Sequence, residues 1–313
     1  SRYCAELLLG PLSRSFAIQP FCASAGSIAG MAVAPLSALK SDSFSLTFLH
    51  FEAIAGDAAL RPLLQNRGSV VWFHDLHDER GTALAAADIA TVRCALFSSY
   101  RNLLEFKRGI GATWEGEVWQ LPYPVVLPAS DPAGGRALDE RTVAFAGAPW
   151  SESRVEKLFA ALTQLHQPRP LIWLIDQSEE QGARRILEQF SAQQVELQFN
   201  RSPERWVEIL AQAGVAVHLR GSAIGDPGPY LPLSWAHGVP TVVSEFAEGD
   251  YVLPSISARA RPGGDETAAL CDILQQLEAA TARRATALDY VREFHHHLSL
   301  SAELERLFLR ILR

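Results

Sequence analysis

Between His218 and Ser244 the chain reads His218-Leu-Arg220-Gly-Ser222-Ala-Ile-Gly225-Asp226-Pro-Gly228-Pro-Tyr230, then a short apolar stretch to Ala236, then His237-Gly238-Val-Pro240-Thr-Val-Val-Ser244. A polar, glycine-rich loop thus follows an apolar strand and precedes a helix. It offers flexible backbone, a cation (Arg220), a hydroxyl (Ser222), a close turn (Gly225) and a carboxylate (Asp226). Backbone N–H groups at a helix start and a guanidinium fork suit the oxygens of a phosphate. Any α/β protein also needs glycine and proline at such a turn, so a purely architectural reading stays open.

A second polar cluster, His74-Asp75-Leu-His77-Asp78-Glu79, follows the apolar run Ser69-Val-Val-Trp-Phe. A histidine at a strand's carboxyl end can donate to a sugar hydroxyl or steady charge near a reacting carbon. His74, His77 and a carboxylate could instead hold a metal, but His-x-x-His without a third ligand is a weak signal. Asp75 and Asp78 read better as caps of the next helix than as catalysts. Arg201, just past a strand, and Arg154, at a helix start, are further cations. Trp150 and Tyr230 are the aromatics placed to touch a base or sugar; Trp173, Trp206 and Trp235 read as core. His295-His296-His297 reads as a solvated face of the last helical region, and His166 as a surface loop residue. No phosphate-cradling Gly-x-x-x-x-Gly-Lys, Gly-x-Ser-x-Gly or His-Glu-x-x-His motif occurs.

The elements that must position these groups alternate along the whole chain. Tyr3 to Leu12 reads as a helix. Phe44–His50, Ser69–His74, Thr91–Phe97 and Trp119–Val126 read as extended, with helices at Ala58–Gln65, Ala83–Ala90 and Tyr100–Lys107. Pro128, Ser130, Asp131, Pro132, Gly134 and Gly135 crowd Leu127–Arg141, the clearest linker signal. Beyond it, strands at 142–146, 170–175, 195–199, 215–219 and 240–244 alternate with helices at 152–165, 179–193, 204–213 and 230–237. A helix at 267–277 and a long terminal helical region close the chain. Strand and helix in turn predict parallel sheets covered on both faces, that is, two Rossmann-like domains at 1–133 and 134–313 facing across a cleft.

Composition narrows the function. The 313 residues are 48% hydrophobic and 20% charged, enough for sizeable cores. With 28 Lys+Arg against 35 Asp+Glu the net charge is -7, which argues against nucleic acid as a partner. No run reaches the roughly 20 apolar residues of a membrane span. The four cysteines are scattered without a Cys-x-x-Cys pair, the pattern of a reduced, cytoplasmic protein. The one Met is Met31 and the chain opens Ser1-Arg2-Tyr3-Cys4, so we expect it to be cut from a longer protein, with a first strand preceding Ser1.

The 218–244 block resembles the donor-binding segment of the retaining glycosyltransferase family four, which has the two-Rossmann (GT-B) architecture. There a glutamate-containing loop precedes a helix ending Ala-x-Gly-x-Pro-Val-Val, and Ala236-His-Gly238-Val-Pro240-Thr-Val-Val243 is similar. Val70-Val-Trp-Phe-His74-Asp75, Ser98-Ser99, Pro122-Tyr-Pro-Val125 and Val143-Ala-Phe-Ala-Gly147 extend the likeness over most of the chain. The resemblance implies transfer of a sugar from a nucleoside-diphosphate sugar to an acceptor hydroxyl with retention, in polysaccharide or other glycan assembly. It further implies terminal helices that cross back to the first domain, and no divalent metal or other cofactor. His74 and Asp226 would be the catalytic pair. Arg220, Ser222, Gly225, Arg201, Arg154 and Tyr230 would hold the donor. The acceptor would be a glycan, a lipid-linked sugar or a protein, with peripheral contact at the inner membrane face left open.

Two departures stand out. The family's paired glutamates fall on Gly225 and Leu233, with Asp226 as the substitute carboxylate. Its basic pair falls on Ala148 and about Ser153, leaving Arg154, Lys157, Arg201 and Arg220 to balance a departing diphosphate. A non-catalytic domain of a larger glycan-assembly protein, or a nucleotide-sugar epimerase, is therefore the alternative expectation.

Overall fold

The computed structural model describes residues 2–22, 27–35, 38, 44–50, 64, 68–73, 89–109, 111–129, 141–149, 154–190, 194–220, 228–246, 252–261, 263, 265–277 and 281–313. They divide into two compact units: residues 2–126 with 294–313, and residues 127–293.

In the first unit, helix α1 (Arg2–Leu12) precedes four parallel strands, β1 (Thr47–His50), β2 (Ser69–Phe73), β3 (Cys94–Phe97) and β4 (Glu117–Gln120), paired in that order. Two-residue ladders at Phe21–Cys22 with Ala34–Pro35 and at Ser27–Ile28 with Met31–Ala32 lie outside this sheet. All of β2 is buried, which its unbroken apolar run requires. Val70 and Trp72 join a core with Leu8 and Leu12 of α1 and Leu304 and Phe308 of the last helix. Val71 and Phe73 enter a different core, with Phe97, Leu103 and Phe106. Burying each such side chain stabilises by roughly 1.5–3 kcal/mol, so period-two alternation attaches helices to both faces of the sheet. Helix α2 (Tyr100–Arg108) starts where Ser99 Oγ accepts the Asn102 N–H at 3.2 Å.

The second unit holds a six-stranded, wholly parallel sheet. Its strands are β5 (Val143–Ala146), β6 (Leu171–Leu174), β7 (Val195–Gln198), β8 (Val215–His218), β9 (Thr241–Ser244) and β10 (Ala258–Ala260), in spatial order β7-β6-β5-β8-β9-β10. Counted within the unit this is 3-2-1-4-5-6, the Rossmann order. The connecting helices are α3 (Val155–Thr163), α4 (Glu180–Gln189), α5 (Pro203–Leu210), α6 (Tyr230–Ala236) and α7 (Glu266–Gln275). Helix α5 begins at Ser202, whose Oγ accepts the Arg205 N–H at 3.2 Å, with Pro203 as its first residue. Gly238, at φ +62, ends α6 in the left-handed conformation.

One expectation needs correction, and one strand was missed. The terminal helical region is broken: α8 (Arg284–Phe294) and α9 (His297–Ile311) are separated at His295 and His296. His295 is 8% exposed rather than solvated, and its Nδ1–H donates to the Tyr123 carbonyl at 2.9 Å. Strand β10 went unpredicted because Ala-Arg-Ala carries no β-branched or aromatic signal. The sequence-predicted helices at 58–65 and 83–90 fall almost wholly outside the described residues, as does most of the linker.

Candidate functional site

In an open parallel sheet ligands sit beyond the carboxyl ends of the strands, at the point where strand order reverses. Here that point lies between β5 and β8, which pair in register through Val143–Val215, Ala144–Ala216 and Phe145–Val217. The residues emerging there are Gly147 and Ala148 after β5 and Leu219 and Arg220 after β8. Two interactions fix these exits. Trp173 Nε1 donates to the Gly147 carbonyl at 2.8 Å, and the Arg220 N–H donates to Ser244 Oγ, at the end of β9, at 2.9 Å. Arg220 is half-buried.

Arg201 follows β7, one residue past Asn200, which sits at φ +63. Its Nη2 lies 2.9 Å from Asp176 Oδ2 and 3.9 Å from Glu179 Oε1. Asp176 and Glu179 themselves form a capping box at the end of β6: the Asp176 N–H donates to Glu179 Oε2 at 3.0 Å. Tyr230 opens α6, and its phenol is pushed up to about 12, mainly by burial. Arg201 opposes that rise, while Asp176, Glu204 and Glu179 add to it. The phenol therefore stays protonated, a hydrogen-bond donor beside a carboxylate-held guanidinium.

Behind these groups runs a polar network that sequence reasoning missed. Ser234 Oγ donates to the Tyr230 carbonyl at 2.8 Å, and Trp206 Nε1 reaches that carbonyl at 3.0 Å and Ser234 Oγ at 3.1 Å. His218 Nε2 lies 3.1 Å from the same hydroxyl, and burial lowers its pKa to about 3. Because the Ser234 proton already goes to Tyr230, the neutral His218 ring carries its proton on Nε2 and donates it to Ser234. The network ties the start of α6 to β8 and α5. Its one signal in the sequence was a histidine ending an otherwise apolar strand.

Arg154 lies on the connection that leaves β5. At φ 52 it begins α3 and grips Glu266, at the start of α7, through Nε at 2.9 and 2.8 Å and through Nη2. Its fork is thus engaged within the protein, a physical reason against its expected role on a donor phosphate. His74, Asp75, His77, Asp78, Trp150, Ser153, Ser222, Gly225 and Asp226 lie outside the described residues. His166 is exposed, and Trp173, Trp206 and Trp235 are buried. Among the described residues no group of three or more His, Cys, Asp or Glu could hold a metal ion. A groove of about 700 Å³ lined by Thr142, Pro170, Gln194 and Val195 opens at the amino ends of β5 to β7, the edge opposite the switch point.

The sequence matches no family model and no curated protein. Solved structures match in fold. The sucrose-phosphate synthase of Thermosynechococcus elongatus superimposes with a TM-score of 0.76 at 14% identity, covering 99% of this chain and 92% of that one. HepE of Anabaena, in complex with UDP and glucose, gives 0.73 at 12% identity, covering 99% and 95%. The pneumococcal O-GlcNAc transferase GtfA, in complex with UDP and GlcNAc, gives 0.62 at 14% identity. That match takes in 84% of this chain and 60% of the length of GtfA. The chain has the GT-B glycosyltransferase fold. Its two parallel-sheet units are the two Rossmann-like halves of that fold.

Proposed function

We propose that the chain is a retaining glycosyltransferase that moves a sugar from a uridine-diphosphate sugar to an acceptor hydroxyl in glycan assembly. The observation that carries this reading is the reversal of strand order in the second unit, which gathers Gly147, Ala148 and Arg220 at one sheet edge. UDP in the complexes of HepE and GtfA, which share the fold, favours uridine diphosphate as the carrier. Arg220 would bind the diphosphate, aided by the loop carrying Ser222, Gly225 and Asp226. Tyr230 and Arg201 would lie toward the nucleoside. His74 would sit near the reacting carbon and Asp226 would act as the carboxylate of the site.

On this reading no divalent metal takes part. Charged hydrogen bonds to the leaving diphosphate supply the stabilisation. The acceptor would be a glycan, a lipid-linked sugar or a protein, and the work would be cytoplasmic. Among the described residues no helix is long and apolar enough to cross a membrane.

A second reading has its own support. Ala148 stands where the family resemblance puts a base, Arg154 is held by Glu266, and Arg201 is held by Asp176. A site so poor in uncommitted cations fits a non-catalytic domain of a larger glycan-assembly protein. Calorimetric titration with UDP, GDP, ADP and dTDP, first without metal and then with magnesium, separates the two. Selective UDP binding without metal supports the transferase. Binding of none of the four would sink it in favour of the non-catalytic domain.

A further inference from the structure

We propose that His218 and Trp206 are positioning residues for Tyr230, holding its ring in one orientation so that the hydroxyl donates to an oxygen of the donor's nucleoside. This rests on the glycosyltransferase reading above and adds to it a determinant of nucleotide affinity.

Three rings in edge-to-face succession carry it. His218, the last residue of β8, meets the Trp206 indole at 5.7 Å between ring centroids and 74° between planes. Trp206, in α5, meets the Tyr230 ring in turn at 5.9 Å and 87°. This is a geometry that aromatic pairs prefer, and it stabilises beyond the area buried.

Hydrogen bonds lock the same residues. Trp206 Nε1–H is shared between the Tyr230 carbonyl and Ser234 Oγ, and His218 Nε2 reaches that hydroxyl too. Ser234 passes its own proton to the Tyr230 carbonyl, so it donates once and accepts twice, the full capacity of a hydroxyl. A polar network satisfied in this way specifies one arrangement where apolar packing would allow several. Trp206 is wholly buried and Tyr230 half-buried, so the brace lies inside and the braced ring reaches the surface.

The charges that act on the phenol place its hydroxyl. Asp176 follows β6, and Arg201 and Glu204 follow β7, which puts it at the carboxyl edge of the sheet. Asp176 and Glu179 are occupied by Arg201 and by each other. That corner therefore offers donors, the phenol O–H and the Arg201 fork, and suits the carbonyl and ribose oxygens of uridine.

The test is a double-mutant cycle read by calorimetry with UDP. Tyr230→Phe should weaken binding roughly three- to tenfold, the worth of one hydrogen bond. His218→Leu, which releases the brace, should weaken it by a similar factor. His218→Gln, whose amide can still reach Ser234, should keep most of the affinity. In the Tyr230→Phe background His218→Leu should cost almost nothing more, because the brace has no hydroxyl left to act through. Ser234→Ala breaks the same link and replaces His218→Leu in the cycle if that variant does not fold. A merely structural histidine would lower the melting temperature and weaken UDP binding equally with or without the Tyr230 hydroxyl. Additive losses, or wild-type affinity in either single variant, overturn the positioning role and leave the donor reading standing. Failure of the unmutated chain to bind any nucleotide overturns both.

Discussion

Arg154 and Glu266, 112 residues apart, meet in a two-pronged ion pair in which the carboxylate side chain is wholly buried and the guanidinium is 21% exposed. The pair joins the start of α3 to the start of α7. A buried carboxylate that loses its partner is far more costly than one never placed there.

Arg154→Ala should therefore destabilise the second unit by about 3–5 kcal/mol, read from the urea unfolding midpoint. Glu266→Gln, which keeps the shape and removes the charge, should cost less. Equal small effects from both would show that the pair contributes little.

Replacing Arg220 bears on ligand binding instead. If its guanidinium holds a phosphate, Arg220→Ala weakens UDP binding by about 1.5–3 kcal/mol, measured by calorimetry. Its backbone N–H bond to Ser244 survives the substitution, so the melting temperature should hardly move. Unchanged affinity removes Arg220 from the site.

Stability should fall with acid in a specific window. Burial drives His295 down from 6.5 to about 3. Below 6.5 the unfolded chain takes up a proton that the folded protein refuses, so stability is full above about 6.5 and is lost progressively as pH falls toward 3. From pH 7 to pH 5 this histidine alone accounts for roughly 2 kcal/mol. His218, lowered the same way but half-buried, adds a smaller share. His295→Gln should flatten the urea-midpoint profile between pH 7 and 5; an unchanged slope contradicts the assignment.

Gly238→Ala tests the turn between α6 and β9. At φ +62 an L-residue is strained, and the new Cβ would lie 2.8 Å from Arg284 Nε. A loss of about 1–2 kcal/mol follows, visible as a lower unfolding midpoint. Gly238→Asn should be milder, since asparagine tolerates this region.

Legibility differed by the range of the interaction. Strands such as β2 and β8 could be read from the sequence because double-sided burial demands an unbroken apolar run, and α5 because Ser202-Pro203 is a local start signal. Residues just past a strand, Arg201 and Arg220, could be picked out because topology alone puts that position at the ligand edge. Their partners could not. Asp176 is brought to Arg201 by the pairing of β6 with β7, and Glu266 to Arg154 by packing of helices far apart in sequence. Neither spacing has a period to detect. The break at His295 was hidden for the same reason: its cause is the Tyr123 carbonyl and the Val125–His296 bridge, contacts from the other end of the first unit.

The packing of α1 against α9 has a consequence for biosynthesis. Leu8 and Leu12 share their core with Leu304 and Phe308, and Ser301 Oγ, which donates to the His297 carbonyl at 2.8 Å, lies 3.4 Å from the Leu8 carbonyl. The ribosome delivers α9 only after every strand of the second sheet has emerged. The half of the molecule made first is thus the half finished last, and until then α1 and one face of β2 present an oily surface that a chaperone would recognise.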